Sequence, residues 1–136
     1  TFNYDKWSLT LVARANIGNY MYNNVEAGLG VSQYIMNPLQ YLQNASTSYL
    51  KTGFYTPQYF SDYYIQNASF LKLDNIGLSY NVGAIGRNAT LRLSANCQNV
   101  FVITKYTGID PEIYSGIDNN GYPRPRNYTI GASVNF

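Results

Sequence analysis

The sequence predicts an all-β fold of antiparallel strands, and three observations support this prediction. Apolar and polar residues alternate with a period of two in four segments, which is the pattern of strands with one apolar and one polar face. The connections between these segments are long, short and long in turn. Helix signals are weak, because Pro38 interrupts the stretch YIMNPLQYLQNAS and leaves room for a helical turn or two at most.

Three of the four strands keep one parity along their length. The first is predicted at about residues 5–18, the third at about residues 89–103 and the fourth at about residues 127–136, with Val12 as an exception in the first. The apolar rows are Trp7, Leu9, Leu11, Ala13, Ala15 and Ile17 in the first strand, Ala89, Leu91, Leu93, Ala95 and Cys97 in the third, and Tyr128, Ile130, Ala132, Val134 and Phe136 in the fourth.

The second strand, at about residues 69–82, changes parity part of the way along. Leu71 and Leu73 lie on one parity, whereas the apolar residues from Ile76 onward lie on the other. A β-bulge near Asp74, or a change of surroundings, would account for the switch.

The connections favour a membrane barrel over a compact soluble domain. Long segments at about residues 19–68 and 104–126 flank a short turn at about residues 83–88. Outer-membrane barrels have short periplasmic turns and long external loops, whereas structureless connections of this length are rare in compact domains. Arg14 and Arg92 in mid-strand suit a wet lumen. Because an open sheet edge leaves backbone groups unpaired in lipid, we expect four strands to be part of a larger barrel.

Alternation by itself also fits a second fold, a secreted soluble β-sandwich that packs its apolar faces inward. Such a domain would bind carbohydrate through its tyrosine-rich loops. A barrel segment would need detergent for extraction from the outer membrane, whereas a β-sandwich would not.

The composition excludes several classes of function. Only 12% of the 136 residues are charged, and the net charge of +2 does not indicate a partner made of nucleic acid. Histidine is absent, which removes the commonest metal ligand and general base, and a single cysteine allows no internal disulfide. We therefore expect neither an enzyme nor a cofactor or metal site. The start at Thr1 suggests a piece of a longer protein or a processed product.

Four motifs resemble those of the SusC/RagA-type TonB-dependent outer-membrane transporters. They are GNYMYNN, NASFLKLDNIGLSYNV, CQNVFVITKYTGIDPE and GYPRPRNYTIGASVNF, in this order along the chain. The resemblance implies the last four strands of a 22-stranded barrel in the outer membrane of a Gram-negative bacterium, without the plug domain. It also implies import of glycan or peptide fragments energised by TonB, with a SusD-like surface lipoprotein as a lid on the external loops.

Two groups of residues are candidates for contact with the substrate or the lid. In the loop YLKTGFYTPQYFSDYY, the candidates are Tyr55, Tyr59, Tyr63 and Tyr64, because tyrosine offers broad amphipathic contact at low entropic cost. These rings could equally pack against neighbouring loops. In GYPRPRN, Arg124 and Arg126 could bind the lid or an anionic substrate, or belong to a stiff loop.

The closing aromatic residues suggest a signal for assembly. Tyr128 and Phe136 lie on the alternating last strand, and the terminal aromatic resembles the feature that the barrel-assembly machinery recognises. A strand edge with apolar side chains at alternate positions suits recognition by strand addition. The alternative is that Phe136 simply contacts outer-membrane lipid.

Other polar motifs have plainer interpretations. Asp110 and Glu112 flank a proline and are expected to form a rigid turn rather than an acid–base pair. The segment DNNG at residues 118–121 predicts a tight turn rather than a calcium loop, since it lacks the remaining ligands. Cys97 faces lipid by its parity and is expected to be inert. Four glycosylation-like sequons are attributed to chance in an Asn- and Thr-rich chain: Asn44, Asn67, Asn88 and Asn127.

Overall fold

The computed structural model describes residues 1–35 and 44–136, and strands account for most of its regular structure. The strands are β1 (Phe2–Tyr4), β2 (Trp7–Asn16), β3 (Tyr20–Asn23), β4 (Ile65–Asn67), β5 (Phe70–Ile85), β6 (Ala89–Thr104), β7 (Ile117–Asp118) and β8 (Asn127–Asn135). The helices are α1 (Asn24–Leu29), α2 (Tyr49–Thr52) and two 3₁₀ turns, Ser32–Tyr34 and Asp62–Tyr64. Most of the stretch around Pro38, where a helical turn was expected, lies outside the described residues.

The chain divides into two compact units. The strand unit consists of Thr1–Asn16, Phe70–Ile103 and Arg124–Phe136, and the loop unit consists of Ile17–Ser69 and Thr104–Pro123. The four long strands of the strand unit, β2, β5, β6 and β8, overlap the ranges that the alternation predicts.

The strand unit is a five-stranded sheet in the order β1-β2-β5-β6-β8. β1 was not expected from the sequence, because three residues are too few to show a period. It pairs antiparallel with β2, with Phe2 opposite Leu9 and Tyr4 opposite Trp7. β5 and β6 are joined by three residues, which is too short for a parallel crossover and makes them a hairpin. The predicted all-β antiparallel class is thereby confirmed.

The β2–β5 ladder contains the bulge that the change of parity indicated. Val12 pairs with Asn75 and Ala13 pairs with Leu73, so Asp74 is the extra residue and pairs with no β2 residue in the backbone ladder. The extra residue shifts the alternation of β5 by one position. The apolar side chains before and after Asp74 therefore lie on the same face of the sheet. The pairs in this row include Leu9 with Leu78, Leu11 with Ile76 and Ala15 with Leu71.

The β6–β8 ladder extends the same arrangement. Leu91 lies opposite Val134, and Ala95 lies opposite Ile130. The apolar row is open to the surroundings: 43% of Leu93 and 89% of Ile130 are exposed. The strand unit therefore lacks the inward-packed apolar face that a soluble β-sandwich requires.

Within the part of the chain that the structure describes, no helix has the length and apolar character needed to cross a membrane.

The loop unit has its own small sheet and core, although the sequence predicted only loops there. Its strands lie in the order β4-β3-β7, with β3 antiparallel to β4 and parallel to β7. Met21 and Ala68 pack with Tyr106 as a buried cluster, and Ile113 covers it in part. These elements are two to six residues long, so they leave no periodic pattern in the sequence.

Candidate functional site

Gln66 joins the two long connections that make up the loop unit. Its side-chain Nε2 donates to Glu26 Oε2 over 2.8 Å. Its Oε1 accepts from the Thr107 hydroxyl at 2.7 Å and from the Thr107 backbone N–H at 3.1 Å. One amide therefore bridges a carboxylate in the first connection and a hydroxyl in the second, using both its donor and its acceptor.

Asn23 organises the start of α1 beside this bridge. Its Oδ1 accepts from the Glu26 backbone N–H at 2.9 Å, which satisfies one of the free amides at the helix N-terminus. Its Nδ2 lies 3.3 Å from Glu26 Oε2 and donates to it. Asn23 is 4% exposed, and it belongs to the motif GNYMYNN. Asn23 thus bonds both the backbone and the carboxylate of Glu26, and the same carboxylate oxygen accepts from Gln66.

Tyr106 and Asp118 form a buried hydrogen-bonded pair in the loop unit. The Tyr106 hydroxyl donates to Asp118 Oδ2 over 2.8 Å, and the two residues are 5% and 2% exposed. Burial, followed by the hydrogen bond and charge of the Asp118 carboxylate, raises the pKa of Tyr106 well above its usual range, and Glu26 adds to the effect. Tyr106 therefore stays protonated and keeps donating.

Gly108 is required by this pair. A Cβ at this position would overlap the Tyr106 ring and lie 2.6 Å from Asp118 Oδ2. Glycine is therefore needed at this position of TKYTGIDPE, because the backbone approaches two buried side chains too closely for a Cβ.

The acidic motifs serve as turns. Asp110 Oδ1 accepts from the Glu112 backbone N–H at 2.9 Å, and Asp118 Oδ1 accepts from the Asn120 backbone N–H at 3.0 Å. Asn120 has a φ of 67°. These are the side-chain-to-backbone bonds of Asx turns, and the first agrees with the turn expected at Asp110. Within residues 1–35 and 44–136, no group of three or more His, Cys, Asp or Glu residues could hold a metal ion.

A cavity of about 350 Å³ opens beside this network. It combines carboxylates, hydroxyls, an amide and an ammonium group with two apolar side chains. The polar residues that line it include Glu26, Thr47, Ser48, Lys51, Thr107 and Asp118. Sequence reasoning missed these residues as a group. Only the Asn23–Glu26 spacing, which is typical of a helix cap, could have indicated one part of it.

The structure separates the four candidate tyrosines into two groups. Tyr55, Tyr59 and Tyr63 are 59%, 53% and 52% exposed. Tyr64 is 1% exposed and contacts Tyr22 and Tyr63 edge-on, at centroid distances of 6.3 and 5.2 Å. Burial, and then the charge of Glu26, raises the pKa of the Tyr64 hydroxyl. The Tyr64 ring is therefore used in packing, which is the alternative that the sequence left open for these tyrosines.

The remaining candidates belong to the strand unit and are exposed. Arg124 and Arg126 precede β8, and the carbonyl of the intervening Pro125 accepts from Asn99 Nδ2 over 3.0 Å. Tyr128 lies opposite Cys97 on β6 and is 74% exposed, while Phe136 follows β8 and is 99% exposed.

The chain is similar to known proteins over nearly its whole length, although no protein-family model matches it. The TonB-dependent receptor SusC of Bacteroides thetaiotaomicron is 36% identical over 142 aligned positions, which cover 98% of this chain and 14% of that protein. The TonB-dependent receptor P3 of Formosa agariphila is 30% identical over 89 positions, covering 54% of this chain and 9% of that protein. The chain thus spans only a small part of the curated relatives it matches.

A solved structure has the same fold. The RagAB peptide importer in its open-open state superimposes with a TM-score of 0.74 at 22% identity, covering 98% of this chain and 16% of the matching chain. At this identity the likeness shows the fold alone.

Proposed function

We propose that this chain, which belongs to the SusC/RagA-type family of TonB-dependent receptors, is part of a transporter that imports glycan or peptide fragments across the outer membrane. The observation that carries the proposal is the 36% identity to SusC over 98% of the chain, together with the fold shared with the RagAB importer. The chain spans 14% of SusC, so the import activity would belong to the whole protein.

The exposed apolar row supports a place in the membrane. Leu11, Leu78 and Ile130 are 41%, 41% and 89% exposed on the strand unit. Hydrocarbon tails would cover this row and gain roughly 25 cal/mol for each Å² of apolar surface removed from water. The polar row on the other face would line the lumen.

The sheet order supports closure by further strands. β1 and β8 are the two edges of the described sheet. Each edge presents unpaired backbone groups, which are costly in lipid. We propose that the remainder of a 22-stranded barrel pairs with both edges. In this arrangement the β5–β6 turn would be periplasmic and the loop unit extracellular.

The exposed side chains support a partner on the outside. Tyr55, Tyr59 and Tyr63 offer aromatic surface, and Arg124 and Arg126 offer positive charge. We propose that these residues contact a SusD-like lipoprotein or the arriving substrate. Energy would come from TonB through parts of the protein beyond this chain.

Uptake measurements test the proposal. Cells that express the full-length parent protein should accumulate a labelled glycan or peptide fragment, and deletion of TonB should abolish accumulation while leaving the amount of folded transporter unchanged. Uptake that is the same with and without TonB, or recovery of the parent protein in the soluble fraction without detergent, would contradict the proposal.

A further inference from the structure

The cavity of the loop unit has the size of a small-molecule site. Its volume of about 350 Å³ lies at the lower end of the roughly 300–1,000 Å³ that such sites occupy. Three segments of the chain meet in its wall: α1 supplies Glu26, the segment through Ser48 and α2 supplies Lys51, and the TKYTGIDPE motif supplies Thr107.

One hydroxyl in this wall has no hydrogen-bond partner within the described chain. Ser48 is 9% exposed and lines the cavity, and its Oγ is both buried and unsatisfied. Ser48 sits at the N-cap of α2, yet its side chain makes no capping bond. Buried hydroxyls are normally paired. The Ser48 hydroxyl is therefore a candidate hydrogen-bonding group for a ligand in the cavity.

The backbone around Ser48 keeps space for its hydroxyl. A Cβ at Gly30 would lie 2.5 Å from Ser48 Oγ, so no larger residue fits there without displacing it. The glycine therefore leaves room for the Ser48 hydroxyl beside the cavity.

The charges of the lining select among ligand classes. Two carboxylates, Glu26 and Asp118, and one ammonium group, Lys51, give the lining a net charge of −1. An acidic ligand would meet repulsion from both carboxylates. A cationic ligand would meet repulsion from Lys51.

A neutral polyol matches the lining without an unpaired charge. Each of its hydroxyls donates one hydrogen bond and accepts others. It can therefore donate to Glu26 and accept from Lys51 at the same time. Thr47 and Thr107 add hydroxyls of their own, and apolar Val25 and Ile109 can contact the C–H face of a sugar ring.

We propose that the cavity of the loop unit binds a neutral sugar residue of an arriving glycan. This inference rests on the proposed import function, because it names the substrate class. It favours neutral glycans over peptides and over acidic glycans.

Calorimetry on the purified full-length transporter tests the inference. The probes are neutral gluco-, manno- and xylo-oligosaccharides, an oligogalacturonate as the acidic counterpart, and a neutral peptide. The variants Lys51→Met and Thr47→Val remove polar groups from the cavity and leave the Gln66 bridge and the Tyr106–Asp118 pair intact. Lys105→Met is the matched control, because Lys105 is exposed and does not line the cavity.

We expect at least one neutral oligosaccharide to bind the wild type, and the oligogalacturonate to bind more weakly. Lys51→Met should weaken binding about tenfold and Thr47→Val about threefold to tenfold, while Lys105→Met binds as the wild type does. The inference is overturned if no neutral oligosaccharide binds, if the acidic or peptide probe binds more tightly, or if the two cavity variants bind as the control does. Uptake measured alongside separates the two ideas, since TonB-dependent import of a peptide would preserve the proposed function while refuting the sugar site.

Discussion

The carboxylate of Asp74, the extra residue of the β-bulge in β5, accepts two hydrogen bonds from the guanidinium of Arg14 on β2. The fork of donors on arginine matches the two oxygens of a carboxylate. Lys72 Nζ lies 3.7 Å from Asp74 Oδ1, and its side chain is only 6% exposed. The Asp74 carboxylate therefore stabilises the bulge through Arg14 and also offsets the positive charge of the buried Lys72.

Asp74→Asn should lower the free energy of unfolding of the parent transporter. It removes the charge that balances Arg14 and Lys72, and hydrogen bonds to charged groups contribute about 1.5–3 kcal/mol. We expect a loss nearer the lower value, because the Arg14 side chain is 51% exposed. The shift of the denaturation midpoint in detergent measures the loss. Asp5→Asn is the control, since Asp5 is an exposed turn residue with φ 49°; equal shifts in the two variants would contradict the prediction.

Gln66→Leu should loosen the loop unit without altering the strand unit. The change removes the bridge between Glu26 and Thr107 and leaves the half-buried Glu26 carboxylate with one donor fewer, at a cost of about 1 kcal/mol. Hydrogen exchange should become faster in residues 17–35, 44–69 and 104–123. Gln58→Leu is the matched control, because the Gln58 amide bonds to nearby Thr56 and to no other residue that the structure describes. Unchanged exchange in the Gln66 variant would show that the bridge does not join the two connections.

Gly108→Ala should separate Tyr106 from Asp118. The new methyl group overlaps the tyrosine ring, and overpacking of this kind costs about 1–3 kcal/mol. Limited proteolysis should cleave the loop unit faster than in the wild type. Gly121→Ala is the control, since no atom in residues 1–35 or 44–136 lies within 4 Å of a Cβ at that position. Proteolysis at the wild-type rate in the Gly108 variant would refute the steric argument.

The stability of the loop unit should fall as the pH rises above about 10, the usual pKa of tyrosine. The pKa of Tyr106 is raised in the folded chain, so above pH 10 the unfolded chain loses a proton that the folded chain keeps. The contribution of Tyr106 to the free energy of unfolding is therefore complete below the ordinary tyrosine pKa. It is lost as the pH rises through the higher pKa that Tyr106 has in the folded chain.

Ultraviolet titration of tyrosinate checks the pH effect. The difference between wild type and Tyr106→Phe should show one hydroxyl that ionises only at higher pH than ordinary tyrosines. Tyr114→Phe is the control for the loss of one tyrosine, because Tyr114 is fully exposed. A normal titration for Tyr106 would contradict the burial argument.

Deletion of Phe136 should reduce the amount of folded parent protein in the outer membrane. The proposal that Phe136 belongs to an assembly signal requires this result, and Phe136→Tyr should restore much of the folded amount because it keeps the ring. Heat-modifiable mobility on gels measures the folded fraction. An unchanged folded amount after deletion would leave Phe136 as one more exposed apolar residue.

Several features of the strand unit followed from the sequence, because the period of a strand is a local property. Alternation located the long strands, and the opposite parities of Leu73 and Ile76 indicated the bulge at Asp74 before any partner strand was known. The TKYTGIDPE motif pointed to a family without explaining its own glycine.

The tertiary structure alone decided the candidate site. Gln66 meets Glu26 and Thr107 across separations of 40 and 41 residues, and no local pattern encodes such contacts. The burial of Tyr64 beside Tyr22 likewise depends on the β3–β4 pairing, so Tyr64 could not be told from its exposed neighbours by composition. Backbone periodicity is a property of a few consecutive residues and can be read from the sequence, whereas the polar cavity exists only after distant segments have packed together.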